Sequence, residues 1–232
     1  MFESIHFHSE GRKTTSASKP EVLAKLREIV GDENVVVDTE RVEPYGADAV
    51  KEKFPPEAVV FPATTQEMAA IIKLANEYLF PVTARGGGVG YTGGAVPVEG
   101  GIVVGTDRMK TIIELNVDDL YMTCQPGLTT YDVQQAAAEV GLLFAPDPAS
   151  YKDSYIGGNI AENAGGMRTP KYGVTKHHVL GLEVVTGTGE IIRTGGRTVK
   201  NVVGFDLTGL MCGSEGMLGI ITEVTLKLLP MP

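Results

Sequence analysis

Basic residues are scarce in this chain. It carries 20 Lys and Arg against 29 Asp and Glu, giving a formal net charge of −9 and a pI near 5.0. That balance excludes nucleic acid or an anionic membrane surface as the main partner, because both select cationic faces. Long apolar runs are absent as well. No stretch approaches the ~20 residues that would span a bilayer, and residues 1–18 lack the apolar core of a secretory signal. Cysteine is nearly missing: Cys124 and Cys212 stand far apart and without metal-ligand spacing. They suit buried free thiols in a reduced, cytoplasmic setting, with a single disulfide as the alternative. Of the histidines, His6 and His8 share one face of a strand but have no third ligand nearby. The adjacent His177 and His178 point to opposite faces of a strand. Neither pair reads as a metal site, and no metal is expected.

Glycine is in excess, with 29 in 232 residues, or about one in eight against the ~7% of ordinary proteins. There is no collagen-like period and no serine-glycine run, so these glycines belong to ordered motifs. The hydrophobic fraction of 43% and charged fraction of 21% are those of a folded protein. The length suits one large domain or two small ones.

In chain order, residues 1–19 read as a poorly ordered leader, or as an element that packs on something else. A helix is expected over Pro20–Val30, with Ser18 as its cap, Pro20 in its first turn and Gly31 at its end. Val22, Leu23, Leu26, Ile29 and Val30 form its apolar stripe. Val35–Val37 is a short strand, and Glu43–Pro56 an irregular connection with a boundary at Pro55-Pro56. From there the pattern is strand, helix, strand. Ala58–Phe61 is a buried strand, and Thr64-Thr65-Gln66-Glu67 is a capping box opening a helix to Tyr78. Strands at Val82 and Gly101–Val104 follow, a βαβ arrangement that implies a parallel sheet with a right-handed crossover.

Ile112–Leu115 and Tyr121–Cys124 read as strands of a second sheet. A helix over Thr130–Val140 packs through Val133, Ala136, Ala137 and Val140 and ends at Gly141. Leu182–Val185 and Glu190–Arg193 flank Gly187-Thr188-Gly189 as a hairpin. A short helix spans Phe205–Cys212, and a last strand runs from Gly219 to Leu229, stopped by Pro230. The expected units are 1–19, 20–53, 54–110 and 111–232.

The chain is organised around Ala84-Arg85-Gly86-Gly87-Gly88-Val89-Gly90-Tyr91-Thr92-Gly93-Gly94, a loop leaving a strand. Bare backbone of this kind approaches ligands closely, and its successive N–H groups form anion-binding nests. A phosphate cradle for a nucleotide cofactor is therefore expected, against a flexible linker as the plain alternative. Gly88 to Gly93 satisfies G-x-G-x-x-G, but that fingerprint requires a helix to begin there, and no helix can be written through Gly94–Gly101. No Gly-Lys-Thr or Gly-Lys-Ser follows either, which excludes a Walker loop. Two further clusters, Ser154–Gly166 and Gly213–Thr222, allow three glycine-rich loops to line one groove for an extended ligand.

The runs Arg85–Gly94 and Gly157–Gly166, Lys171-Tyr172-Gly173, Val199–Leu207, and Gly213–Thr222 resemble the FAD-binding domain of FAD-linked oxidases. This is the vanillyl-alcohol-oxidase-type, or PCMH-type, family. Within it the chain is similar to the branch of glycolate oxidase D subunits, D-lactate dehydrogenases and D-2-hydroxyglutarate dehydrogenases. The resemblance covers residues 20–230. It implies an α+β fold of two subdomains, a small parallel βαβ sheet and a larger, mostly antiparallel sheet with flanking helices.

The resemblance also implies roles. Backbone of Gly86, Gly87, Gly88, Val89 and Gly90 holds the FAD pyrophosphate, with a hydroxyl from Thr92 and close approach at Gly93. Arg85 contacts phosphate or forms a surface ion pair. Pro146, Asp147, Gly157, Gly158 and Asn159 flank the isoalloxazine or ribityl chain, and Asn163, Gly165 and Gly166 continue that wall. Gly216, Gly219, Ile220 and Ile221 face the adenosine end. Glu215 takes a ribose hydroxyl or caps a turn, and Lys200 and Asn201 reach the flavin or cap a helix. Val89 stands where covalently flavinylated relatives keep histidine, so FAD is expected to be non-covalent. The implied reaction is oxidation of a 2-hydroxy acid with hydride transfer to flavin N5.

No catalytic base is identifiable. The base and substrate-binding arginines are expected on a cap domain that would begin where this chain stops, or on a partner subunit. A non-catalytic FAD-holding electron-transfer subunit, and a relative acting on a sugar or cell-wall precursor, remain as alternatives. The expected location is cytoplasmic, or peripheral to the membrane through a partner.

Overall fold

The computed structural model describes residues 16–232; His6 and His8 and most of the expected leader lie outside the described residues. Helix α1 (Pro20–Val30) begins at proline as expected, and Gly31 follows it with φ 90°. Its cap differs from expectation. Lys19 holds the N-cap position without a side-chain bond, and the Ser18 hydroxyl pairs with Ser16 while its N–H donates to Glu57. Pro20 has no N–H to satisfy, which reduces the need for a polar cap.

Strand β1 (Val35–Val36) is followed by a short helix α2 (Thr39–Val42), then a 3-10 turn at Glu43–Gly46, where an irregular connection was expected. Asp38 caps α2 by accepting from the Arg41 N–H at 3.1 Å. Four residues are too few to show a helical period.

Strand β2 (Ala58–Val60), helix α3 (Thr65–Tyr78), strand β3 (Val82–Arg85) and strand β4 (Ile102–Gly105) complete the first sheet, in the order β1-β2-β4-β3. β2 and β3 pair parallel with β4, whereas β1 is antiparallel to β2. Thr64 caps α3 by accepting from Glu67 N–H, but the Glu67 carboxylate returns to Ala63 N–H instead of Thr64. Ala58, Val60, Ile102 and Val104 pack against α1 and α3. The alternate residues Val59 and Val103 pack with Val36 and Val42 on the other face. Burial on both faces is why these strands are apolar throughout.

The second sheet contains β5 (Ile112–Asn116), β6 (Tyr121–Cys124), β8 (Val179–Val185), β9 (Ile191–Gly195) and β10 (Ile220–Lys227). Its order is β5-β6-β10-β8-β9 and every pairing is antiparallel. Helices α4 (Thr130–Glu139), α5 (Ile156–Ala161), α6 (Thr169–Tyr172) and α7 (Leu207–Met211) accompany it. Val133, Ala137, Ile156, Ile160 and Met211 pack in one core with Met122, Leu182, Val184, Val224 and Leu226. Val140 falls at the frayed end of α4 and is 39% exposed, not inward as its spacing suggests. Pro230 does not stop the chain's pairing: Leu229–Pro230 (β11) pairs with Leu142–Leu143 (β7). Cys124 and Cys212 are free and buried, and burial pushes the Cys212 thiol up to about 11 and Cys124 higher still. No helix among the described residues is long and apolar enough to cross a membrane.

One buried carboxylate ties the sheets together. Glu183 on β8 accepts from the Thr65 hydroxyl at 2.6 Å, at the start of α3, and from Thr222 at 3.2 Å. Arg193 neutralises it at 2.6 Å. Replacing Glu183 by Ala leaves both hydroxyls and the Arg193 donor without this acceptor. We expect a loss of about 1–3 kcal/mol in urea unfolding; an unchanged midpoint would show that the tie contributes nothing.

Candidate functional site: a cleft between three glycine loops

The loop that leaves β3 at Arg85 lies directly on the segment that enters α5. A Cβ placed on Gly87 would stand 2.1 Å from the Asp153 carbonyl oxygen, and one on Gly86 would stand 3.3 Å from Tyr155 Cβ. Gly88 has φ 65°, and a Cβ there would meet the Arg85 guanidinium at 2.1 Å. Glycine is required at both positions, at Gly87 by contact and at Gly88 by backbone conformation as well.

Arg85 is not a surface residue. It is 8% exposed and donates to the carbonyls of Tyr45 (3.3 Å), Ala95 (3.2 Å) and Pro44 (3.3 Å), with its guanidinium 5.6 Å from the Tyr45 ring centre. It forms no ion pair among the described residues, which removes the surface-pair alternative. It lies against Gly88 and ties the end of β3 to the Pro44–Tyr45 turn and to Ala95, and burial lowers its pKa from the ordinary value.

The opposite wall is α5 and its entry. The Thr129 and Tyr155 backbones bridge, Ile156 N–H donates to Leu128 O at 2.8 Å and Gly157 N–H to Pro126 O at 2.9 Å. Asn159 turns its amide back to the Thr130 hydroxyl. A Cβ on Gly157 would meet Pro126 at 2.7 Å, whereas one on Gly158 would meet nothing within 4 Å. The third loop is pinned to the end of α5 through Gly213 N–H to Ile160 O and Glu215 N–H to Ala161 O, both 2.9 Å. It then enters β10 at Ile220.

Between these walls is an open cleft. It brings together Arg85, Gly86, Gly87, Gly88, Val89 and Gly90 of the first run, Gly157, Gly158 and Asn159 of the second, and Glu215, Gly216, Gly219, Ile220 and Ile221 of the third. Thr92, Gly93, Pro146, Asp147, Asn163, Gly165 and Gly166 are not among its lining residues. Thr92 is exposed, and Gly93 N–H donates to Asp48 at 3.0 Å. Pro146 O accepts from Gln134 at 2.8 Å, and Asp147 accepts from Arg168 N–H at 2.9 Å. A Cβ on Gly166 would meet the Asp147 carbonyl at 2.2 Å, and Asn163 accepts from Lys176 N–H at 2.9 Å. Asp147, Gly166 and Arg168 pack on one another, and Thr92, Gly93 and Gly165 are exposed. Lys200 and Asn201 are exposed and do not line the cleft.

Several lining residues carried no expectation. Ser154, Tyr155 and Glu162 lie within or beside the second glycine run, where adjacency alone could have found them. Thr106, Pro126 and Ser150 reach the cleft from separate turns and have no local signal. Tyr155 donates to Asp107 at 3.0 Å and faces Lys110 at 3.4 Å; burial, then the Asp107 charge, pushes its phenol up to about 12. It is thus a neutral donor at any ordinary pH. His177 lies against Gly173, and His178 is buried with Nε2 3.0 Å from Tyr172 O. No group of three or more metal-ligating side chains occurs among the described residues.

The lining therefore offers glycine backbone, small hydroxyls and no histidine or cysteine. Such a surface holds an extended, polar ligand closely and has no nucleophile–base pair for chemistry of its own. A family model described as "FAD binding domain" matches residues 56–195. Glycolate oxidase subunit GlcD of Bacillus subtilis (strain 168) is 44% identical over 213 residues, covering 91% of this chain and 45% of that protein. D-lactate dehydrogenase of Anaerostipes hadrus is 42% identical over 215 residues, covering 92% and 45%. Among solved structures, 4-ethylphenol oxidase from Gulosibacter chungangensis superposes with a TM-score of 0.80 at 27% identity, over 94% of this chain and 44% of that one. The chain spans a little under half the length of the curated relatives it matches.

Gly87→Ala and Gly158→Ala should part company in thermal unfolding. The first forces a methyl into backbone and is expected to cost about 1–3 kcal/mol or more. The second fills open space in a helix and should be neutral or stabilising by up to about 1 kcal/mol. Equal effects would contradict the close approach at Gly87.

Proposed function

The chain belongs to the FAD binding domain family, and from that premise we propose that it is the FAD-holding part of an oxidoreductase acting on a small 2-hydroxy acid. FAD is its cofactor, and the residues present fit it: the open cleft is floored by glycine backbone, and at Gly158 a Cβ would meet no protein atom within 4 Å, which leaves that position free for a ligand. The observation that carries the reading is the convergence of three separate glycine loops on this cleft.

In this reading the amides of Gly86–Gly90 take the pyrophosphate. The backbone of Gly157 and Gly158 flanks the flavin side, and Gly216, Gly219, Ile220 and Ile221 flank the adenosine. Arg85 and Asn159 act as braces, since their polar atoms bond to protein. Pro146, Asp147, Asn163, Gly165 and Gly166 support the wall from behind. Thr92 and Gly93 shape the end of the first loop. Attachment is non-covalent, because the lining has Val89 and no histidine or cysteine.

FAD supplies the hydride-accepting chemistry when bound, while this chain binds, orients and excludes water. The substrate class follows from the glycolate- and D-lactate-oxidising relatives. The base and the cations that grip a carboxylate belong to the further half that those relatives possess, or to a partner subunit. The two carboxylates of the cleft, Glu162 and Glu215, face the first glycine loop, which also suits a second reading, an FAD-holding subunit that passes electrons without binding substrate.

The test is spectroscopic. Purified chain mixed with FAD should retain a yellow flavin spectrum through gel filtration, and heat should release the flavin intact. Gly158→Ala should stay folded yet bind FAD about tenfold or more weakly, because its methyl enters the cleft. A colourless protein overturns the FAD assignment, and flavin that stays with heat-denatured protein overturns non-covalent attachment. Bleaching by glycolate or D-lactate only after a partner is added favours the second reading.

A further inference from the structure

We propose that Glu162 makes cofactor uptake proton-linked: FAD enters the cleft as a proton moves from solvent onto the Glu162 carboxylate, so affinity falls as pH rises. The inference rests on the FAD reading above and adds a named residue and a direction to it.

Glu162 closes α5, its N–H donating to Gly158 O at 2.9 Å, and its side chain reaches across the cleft to the first loop. A Cβ on Gly90 would lie 2.0 Å from one of its carboxylate oxygens. Two other carboxylates face the same stretch from different elements. Glu215, in the loop before β10, places an oxygen 3.1 Å from the Cβ position of Gly94. Asp48, in the connection between α2 and β2, accepts from Gly93 N–H at 3.0 Å.

None of the three forms an ion pair among the described residues. Arg85 is the one cation in the lining, and its donors are engaged by backbone carbonyls. Lys176, on the neighbouring 3-10 turn, lies against Gly209. The loop that is to accept a doubly negative pyrophosphate thus already has three carboxylates at its far end, offset only by the through-space attraction between Arg85 and Asp48.

Glu162 remains exposed on its outer side; partial burial against the first loop, and then the charges of Glu215 and Asp48, raise its carboxyl above the ordinary range in the free cleft. Negative charge added nearby raises it further, because it disfavours the ionised form. The sign follows. Below both values Glu162 is neutral and affinity is independent of pH. Between them, binding takes up a proton and Kd rises with pH by up to about tenfold per unit. Above both, affinity levels off at its weak limit.

The experiment is an FAD titration followed by flavin fluorescence from about pH 5.5 to about pH 8.5, with proton uptake counted by calorimetry in two buffers. Wild type should weaken about tenfold across the range. Glu162→Gln should lose that slope and bind at high pH as tightly as wild type does at low pH. Glu139→Gln, on the exposed end of α4, should keep the wild-type slope. A flat wild-type profile overturns the proposal, and so does a slope that survives in Glu162→Gln. A uniform weakening of Glu162→Gln at all pH values, with the slope intact, assigns the side chain a packing role instead. Failure of every form to take up FAD at any pH overturns the cofactor reading itself.

Discussion

The cleft exists because two stretches of backbone touch. Gly86–Gly88 can rest on the Asp153–Tyr155 segment only where no Cβ intervenes, and the fit at Gly87 leaves no room for one. That contact joins the end of a parallel strand in the first sheet to the entry of a helix that packs on the second. Other ties hold the same geometry from the outside: Glu183 bonding the start of α3, and Asn76 donating to Gly187 O at 2.8 Å. Contacts at the cleft and ties outside it thus hold the two sheets in the same relation.

Electrostatics in the cleft is unusual for a phosphate site. Its guanidinium is buried beneath the first loop and bonds three carbonyls, so it stabilises the loop instead of the ligand. Carboxylates stand at the other end of the loop without an ion-pair partner among the described residues. In the reading proposed above, attraction for the pyrophosphate falls to oriented backbone amides, whose partial charges do not titrate, and the proposed proton linkage follows from the acidic neighbours.

Much of the fold was legible locally. Thr64 to Glu67 announced α3, the apolar runs at 58–61 and 101–104 marked strands buried on both faces, and Gly187-Thr188-Gly189 marked the β8–β9 hairpin. The rejection of a helix after Gly93 is consistent with a path from the loop to β4 that contains none. Where local reading failed, another interaction had taken over. Ser18 is not a cap because the N-cap position falls one residue later, at Lys19, and the Ser18 hydroxyl pairs with Ser16; Val140 is exposed because α4 ends before it. α2 was invisible because its single turn is specified by one cap.

By itself, the amino-acid sequence determined that three glycine-rich loops follow or precede strands and helices, and that no helix of the Rossmann kind begins after the first of them. Those are local properties of conformation and spacing. Tertiary structure decided which side chains meet. It buried Arg85, turned Asp147 and Asn163 to protein partners outside the cleft, and brought Thr106, Pro126 and Ser150 to the cleft from distant positions. The reason is physical: a glycine declares its freedom to its neighbours in the chain, but the partner that exploits the missing side chain is chosen only when the sheets pack.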